Sequence, residues 1–278
     1  MRLSAALILF FAVGATAQTN TLSDAEIQGR QLAQQIISAK PENPAVLNGL
    51  MKIKDGKGIN YQYCFSSITS LFPANGHWQT DYYFGSTTTN TSHVKGPLTI
   101  ITPSNEMTSS NLLAVKSMVS ILHFDSEECP LKYGSGEFQF YLSGERGNFT
   151  YSTNIDSWLS IYKESDFSFA DLGLEFFHWP QQKVLPKTTN LKRGRDYTLL
   201  ESTNPNPSTN GYSRVLSWID KETGGILEAE AYDADGKLLK EFAPKSFKKI
   251  NGQWELQEME IRNVQTGSRT RLEFDLQK

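Results

Sequence analysis

The residues able to do acid–base, nucleophilic or metal chemistry are scattered along this chain. Its four histidines, His77, His93, His123 and His178, stand at least sixteen residues apart, with no H-E-x-x-H or paired ligand spacing. No metal centre is expected from them. Gly134-Ser135-Gly136 lacks the flanking pattern of a nucleophile elbow and reads as a turn, and neither glycine-rich phosphate loop occurs. Carboxylates gather at Asp125, Glu127 and Glu128, and at Asp166 and Asp171. Two such groups at a suitable separation could serve a glycosidase as acid and base, but surface solvation and helix capping explain them more simply. A hydrolase is therefore the third functional reading, and neither Cys64 nor Cys129 looks like a nucleophile.

Composition removes other classes. Across 278 residues, 27 basic side chains face 30 acidic ones, a formal charge of −3. That balance gives no broad field for phosphates, so nucleic acid is not an expected partner, although a local basic patch is compatible with it. The N-terminus stands apart: Arg2, an apolar run from Leu3 to Val13, then Gly14-Ala15-Thr16-Ala17. This is the pattern of a secretory signal, cut after Ala17, and the run is shorter than the roughly 20 residues of a membrane span. Gln18, not a lipobox cysteine, follows the cut, so the expected product is soluble, not lipid-anchored, with residues 18–278 as one domain. Export would also permit a disulfide between Cys64 and Cys129, whose formation spacing alone does not decide. The sequons at Asn90 and Asn148 matter only in a eukaryotic pathway.

The elements that must position any site are legible to different degrees. Leu22, Ala25, Ile27, Leu32, Ala33, Ile36 and Ile37 approximate one helical face behind an S-x-x-E capping box, Ser23 to Glu26, and Pro41 ends the segment. After Pro44 come short runs rich in Tyr, Phe, Ile, Val and Thr, broken by turn residues, which predict a large antiparallel sheet. Gly58–Ser66, Trp78–Phe84, Leu98–Thr102 and Glu137–Leu142 are examples. Asn111 to Phe124 suits a helix or buried strands, with a lean to helix. Turn signals at Thr223-Gly224-Gly225, Asp235-Gly236, Asn251-Gly252 and Thr266-Gly267 predict hairpins among five short strands. In the last, Thr270, Leu272, Phe274 and Leu276 alternate with Arg269, Arg271, Glu273 and Asp275, so the sheet should be wet on one side only. Glu201–Asn210 reads as a surface loop. Residues 165–180, SDFSFADLGLEFFHWP, place Phe169, Leu172, Phe176 and Trp179 at helical spacing behind a second capping box, Ser168 to Asp171. Such a short aromatic helix either plugs a barrel end as core or covers an apolar cavity.

From about residue 160 onward, several blocks occur in a family order: SDFSFADL, LKRGRDYTLLES, YSRVLSWID, EAYDADGKLLKEF, KINGQWELQEMEIRN and TGSRTRLEF. In that order the chain resembles the bacterial outer-membrane lipoprotein-sorting proteins, the LolA-like group. The resemblance implies a mainly β, α+β fold: an incomplete, strongly curved antiparallel barrel whose apolar side is covered by helices. It also implies a periplasmic carrier of lipid or lipoprotein acyl chains, without a cofactor or catalytic residues, exchanging cargo with membrane-protein donors or acceptors. Phe167, Phe169, Leu172, Phe176 and Trp179 would lie on the covering segment. Trp218, Tyr232, Met259, Ile261, Leu272 and Phe274 would face the hollow, where Ala229 and Ala231 leave room. The alternative on the same fold is a non-catalytic interaction or sensor module with a packed interior. Residues 103–160 have no counterpart in these blocks, and neither cargo nor oligomeric state follows from them.

Overall fold

The computed structural model describes residues 22–72, 76–86, 115–123, 131–139, 148–152, 156–250 and 253–276. The signal segment, His93, Asn90, Leu98–Thr102, Asp125 to Glu128, Cys129 with its pairing to Cys64, and the Asn251-Gly252 turn lie outside these residues. The first element is helix α1, Asp24–Ile37, opened by the expected box: the Ser23 side chain accepts from the Glu26 amide while the Glu26 carboxylate accepts from Ser23. Its buried face is narrower than the sequence stripe, for Leu22 and Ile27 remain exposed while Gly29 and Ala33 are buried. The reason is close approach. A Cβ on Gly29 would stand 2.5 Å from the Lys183 amide nitrogen and 2.6 Å from the Gln182 carbonyl carbon. Gly29→Ala is therefore expected to push the helix off the sheet edge at a cost of about 1–3 kcal/mol, read as a lower denaturant midpoint; an unchanged midpoint would refute this contact.

Strands β1 (Ala45–Lys54), β2 (Asn60–Phe72), β3 (His77–Ser86), β4 (Val115–His123), β5 (Leu131–Gln139) and β6 (Asn148–Ser152) form one meander. A second comprises β7 (Gln181–Leu185), β8 (Tyr197–Thr203), β9 (Arg214–Asp220), β10 (Ile226–Tyr232), β11 (Leu238–Ile250), β12 (Gln253–Asn263) and β13 (Arg269–Asp275). Antiparallel pairing of β1 with β13 fuses them into one 13-stranded sheet, ordered β6-β5-β4-β3-β2-β1-β13-β12-β11-β10-β9-β8-β7. The chain must pass from one edge, β6, to the other, β7. The described part of that passage, residues 156–180, carries helix α2 (Phe169–Leu172) and a 3-10 turn, Glu175–His178.

Register decides which side chains meet that crossing segment. Leu272 stands opposite Met51 and Met259, and Thr270 opposite Ile53 and Ile261. These residues point inward with Phe65, Phe84, Phe167 and Phe169 into one core. A second core joins α1 and the 3-10 turn to β8–β10 through Ala33, Phe176, Phe177, Leu200, Val215 and Ile219. The alternation foreseen for the last strand holds, with Leu272 and Thr270 fully buried and Arg269 and Asp275 exposed. The hairpin glycines hold as well: Gly224, Gly236 and Gly267 all sit at positive φ.

Four expectations need correction. Val115–His123 is strand β4, not helix: β3 and β5 pair with it on both sides from Ser117 to His123, Val119 and Ile121 point into the core, and Ser120 lies on the opposite face, bonded to Asp81. The aromatic segment at 165–180 is not one helix. Its capping box forms, but the helix stops at Gly173, and Leu174 takes a left-handed conformation at φ 49° before the 3-10 turn begins. The loop after Glu201 starts later, since pairing with β7 extends β8 to Thr203. Finally, the outer face is not uniformly wet: Tyr197, Leu199 and Trp218 make a third cluster there with Leu185, Leu216 and Leu227.

Candidate binding site beneath the crossing segment

Between the crossing segment and the sheet lies a cavity of about 160 Å³. Ala229 and Ala231 of β10, Val215 of β9, Phe242 of β11, and Met259 and Ile261 of β12 form its floor. Its roof is Phe167, Leu172, Leu174 and Phe176. The room exists because Ala229, paired with Phe242, and Ala231 present only methyl groups where larger side chains would meet the roof. The break at Leu174 has a use here: it turns that side chain and Phe176 toward the same space.

One corner is polar. The Asp171 carboxylate accepts from the Tyr212 hydroxyl at 2.6 Å, from the Ser168 amide at 2.8 Å and hydroxyl at 2.7 Å, and from Lys240 Nζ at 3.1 Å. Lys240 also donates to the Asp166 carbonyl at 2.7 Å. Burial and the neighbouring carboxylate hold the Tyr212 phenol well above its ordinary range, so it remains a donor. Asp166 itself accepts from Ser268 at 2.5 Å and Thr270 at 2.9 Å, and burial raises its carboxyl above the usual value against those bonds. On the far side, buried Gln182 donates to the carbonyls of Phe176 and Trp179, both at 2.9 Å, and accepts from Ser202 at 2.7 Å. The roof is thus fastened by polar bonds at both ends. These bonds also account for Asp166 and Asp171, the carboxylates that could have suggested an acid and base.

The structure brings Phe167, Leu172, Phe176, Met259 and Ile261 together around the cavity. Phe169, Leu272 and Phe274 pack in the neighbouring core, Phe169 edge-on to Tyr133 at 5.9 Å and Phe274 to Phe65 at 5.5 Å. Trp179 packs nearer α1, 6.4 Å from Trp158. Trp218 and Tyr232 do not face the hollow. Trp218 lies on the outer face beneath Lys192, whose Nζ is 4.1 Å from its ring, and Tyr232 lies beneath the Arg214 guanidinium at 4.1 Å while donating to Glu230 at 2.7 Å. Alternation along β9 and β10 makes this unavoidable once Val215, Ala229 and Ala231 face inward. Leu174, Val215, Tyr212, Lys240 and Phe242 were missed, although the same parity rule links Phe242 to Ala229 and Ile261.

Among the described residues no group of three or more His, Cys, Asp or Glu side chains could hold a metal ion, and no helix is long and apolar enough to cross a membrane. Cys64, half-buried on β2, has its thiol pushed up by burial.

A protein family described as "Uncharacterized protein" matches residues 160–277. No curated protein matches the sequence. Among solved structures, a DUF1329 family protein from Desulfovibrio piger is similar at 19% identity and a TM-score of 0.64, covering 91% of this chain and 92% of that one. An outer membrane lipoprotein-sorting protein domain from Vibrio parahaemolyticus aligns at 17% identity and a TM-score of 0.59, covering 90% and 92%. A LolA superfamily protein from Nitrosomonas europaea aligns at 14% identity and a TM-score of 0.50, covering 91% and 93%. At such identities the likeness speaks for the fold.

Proposed function

Proceeding from the LolA-like fold that this chain shares with those structures, we propose that it is an exported, periplasmic carrier that shelters an acyl chain of a lipid or lipoprotein. The observation that carries this reading is the apolar cavity beneath the crossing segment, with two alanines in its floor. Binding there needs no reaction: withdrawing each CH₂ from water is worth about 0.8 kcal/mol. Cargo would be handed between membrane-protein partners. The signal-like residues 1–17 support the compartment, with residues 18–278 as the exported domain.

Size limits the closed form. A cavity of about 160 Å³ belongs to the class that admits one benzene-sized group, roughly six carbons. A longer chain enters only as the roof lifts, so the bonds of Asp171 and Gln182 are its latches. A second reading, an interaction or sensor module, draws on the adjoining core, where Met51, Phe65, Phe84, Phe167 and Leu272 are buried to 2% exposure or less.

The readings separate by filling the cavity. Ala231→Phe is expected to weaken a fluorescent fatty-acyl probe about tenfold or more, equivalent to about 1.4 kcal/mol, while the melting temperature holds or rises. Wild-type protein should also retain lipid detectable by mass spectrometry of an organic extract. No lipid and no probe binding in the wild type, or equal probe binding in the variant, would count against the carrier and favour the module.

A further inference from the structure

The outer face, away from the cavity, carries a second feature. Where β2, β1, β13 and β12 lie side by side, a groove of about 610 Å³ is lined by Lys52, Lys54, Arg269 and Arg271 with Glu260 and Glu273. Register arranges these groups in two rows. In one, Gln62, Lys52, Arg271 and Glu260 follow one another across the four strands; in the next, Asn60, Lys54, Arg269 and Arg262 do so.

The first row is neutralised. Lys52 pairs with Glu273 at 2.6 Å, and Arg271 pairs with Glu260 at 2.7 Å and with Glu258 at 2.8 Å. The second is not. Arg262 reaches only Glu241, at 3.9 Å, and Lys54 and Arg269 make no ion pair among the described residues. Three cations thus stand directly opposite one another on adjacent strands, an arrangement that repels. Two of them, Lys54 and Arg269, are exposed at the groove and free to share an anion.

We propose that this groove is an oxyanion site, taking a phosphate group between the Lys54 ammonium and the Arg269 guanidinium, with the Asn60 amide as a neutral donor beside them. A bridging phosphate turns the repulsion into charge-assisted hydrogen bonds, for which the planar guanidinium fork is suited. Glu260 and Glu273 are occupied by Arg271 and Lys52, so they do not compete for the two free cations. The chemistry is shared by inorganic phosphate and by a phospholipid headgroup, and the site is independent of the acyl cavity.

Calorimetric titration of the full chain with inorganic phosphate at constant ionic strength tests the first source. Flotation with vesicles of phosphatidylcholine alone, or mixed in equal parts with phosphatidylglycerol, tests the second. Lys54→Gln and Arg269→Gln should each weaken whichever binding occurs about tenfold, as loss of a hydrogen bond to a charged group implies. Lys249→Gln, on the β11–β12 hairpin, should leave it unchanged. Both variants remove a repelling surface charge, so their melting temperatures should not fall. Phosphate binding sensitive to both variants assigns a soluble anion; sensitive binding only to vesicles containing phosphatidylglycerol assigns a headgroup. Binding that both variants retain, or none to phosphate or to either vesicle, overturns the proposal.

Discussion

Replacing Asp171 by leucine is expected to destabilise the protein by about 3–5 kcal/mol, the range for breaking one side of a buried ion pair. Asp171 and Lys240 have side-chain exposures of only 10% and 14%. Leucine would leave the Lys240 ammonium with the Asp166 carbonyl alone, strip the buried Tyr212 hydroxyl of its acceptor, and undo the capping box that starts α2. An unpaired buried charge costs more than the pair contributes, so the remedy is to remove both charges. The double variant Asp171→Leu with Lys240→Met should recover the part of the loss due to the unpaired ammonium, leaving that of Tyr212 and the capping box, and so give a favourable coupling in a double-mutant cycle. Equilibrium urea unfolding of the four proteins measures it; additive losses would show that the pair does not hold the roof.

Acidification from pH 6.5 to 4 is expected to remove up to about 3 kcal/mol through His123. This histidine, stacked on Trp78 at 3.5 Å, has its pKa lowered to about 4 by burial and secondarily by His178. Burial lowers His178 as well. Both are neutral when folded, whereas an unfolded histidine takes up its proton near pH 6.5. Stability is therefore fully present above that value and declines as pH falls toward the folded pKa. Asp166, raised by burial, acts in the opposite sense, and lowered carboxyls such as Glu260 and Asp220 lose their contribution only below their ordinary values of 4.5 and 3.8. Between pH 6.5 and about 4.5 the loss is therefore that of the histidines, offset in part by Asp166. His178 ends the 3-10 turn two residues beyond Phe176, so its protonation sets a charge beside the roof. His123→Gln should flatten the profile over this window; a profile as steep as the wild type would sink the assignment.

Local chemistry made much of the fold legible in the sequence. Both capping boxes formed, because a serine hydroxyl and a carboxylate three residues on satisfy each other's amides whatever surrounds them. Gly224, Gly236 and Gly267 turned the hairpins because only their backbones adopt positive φ without strain. Alternation sorted β13 into an inner and an outer face for an equally local reason.

Tertiary structure decided the remainder. Val115–His123 carries enough apolar residues for either period, and two waiting neighbours made it a strand. Alternation says that Ala231 and Tyr232 oppose each other, but only pairing with β9 and β11 decides which of them faces the roof. The Asp171–Lys240 latch and the Lys54–Arg269 row join residues 69 or more positions apart, and the cavity sets a roof from the crossing segment against a floor from four later strands. A period or a cap is fixed by bonds within a few residues, whereas a cavity or an opposed pair of charges exists only after distant strands have chosen their register.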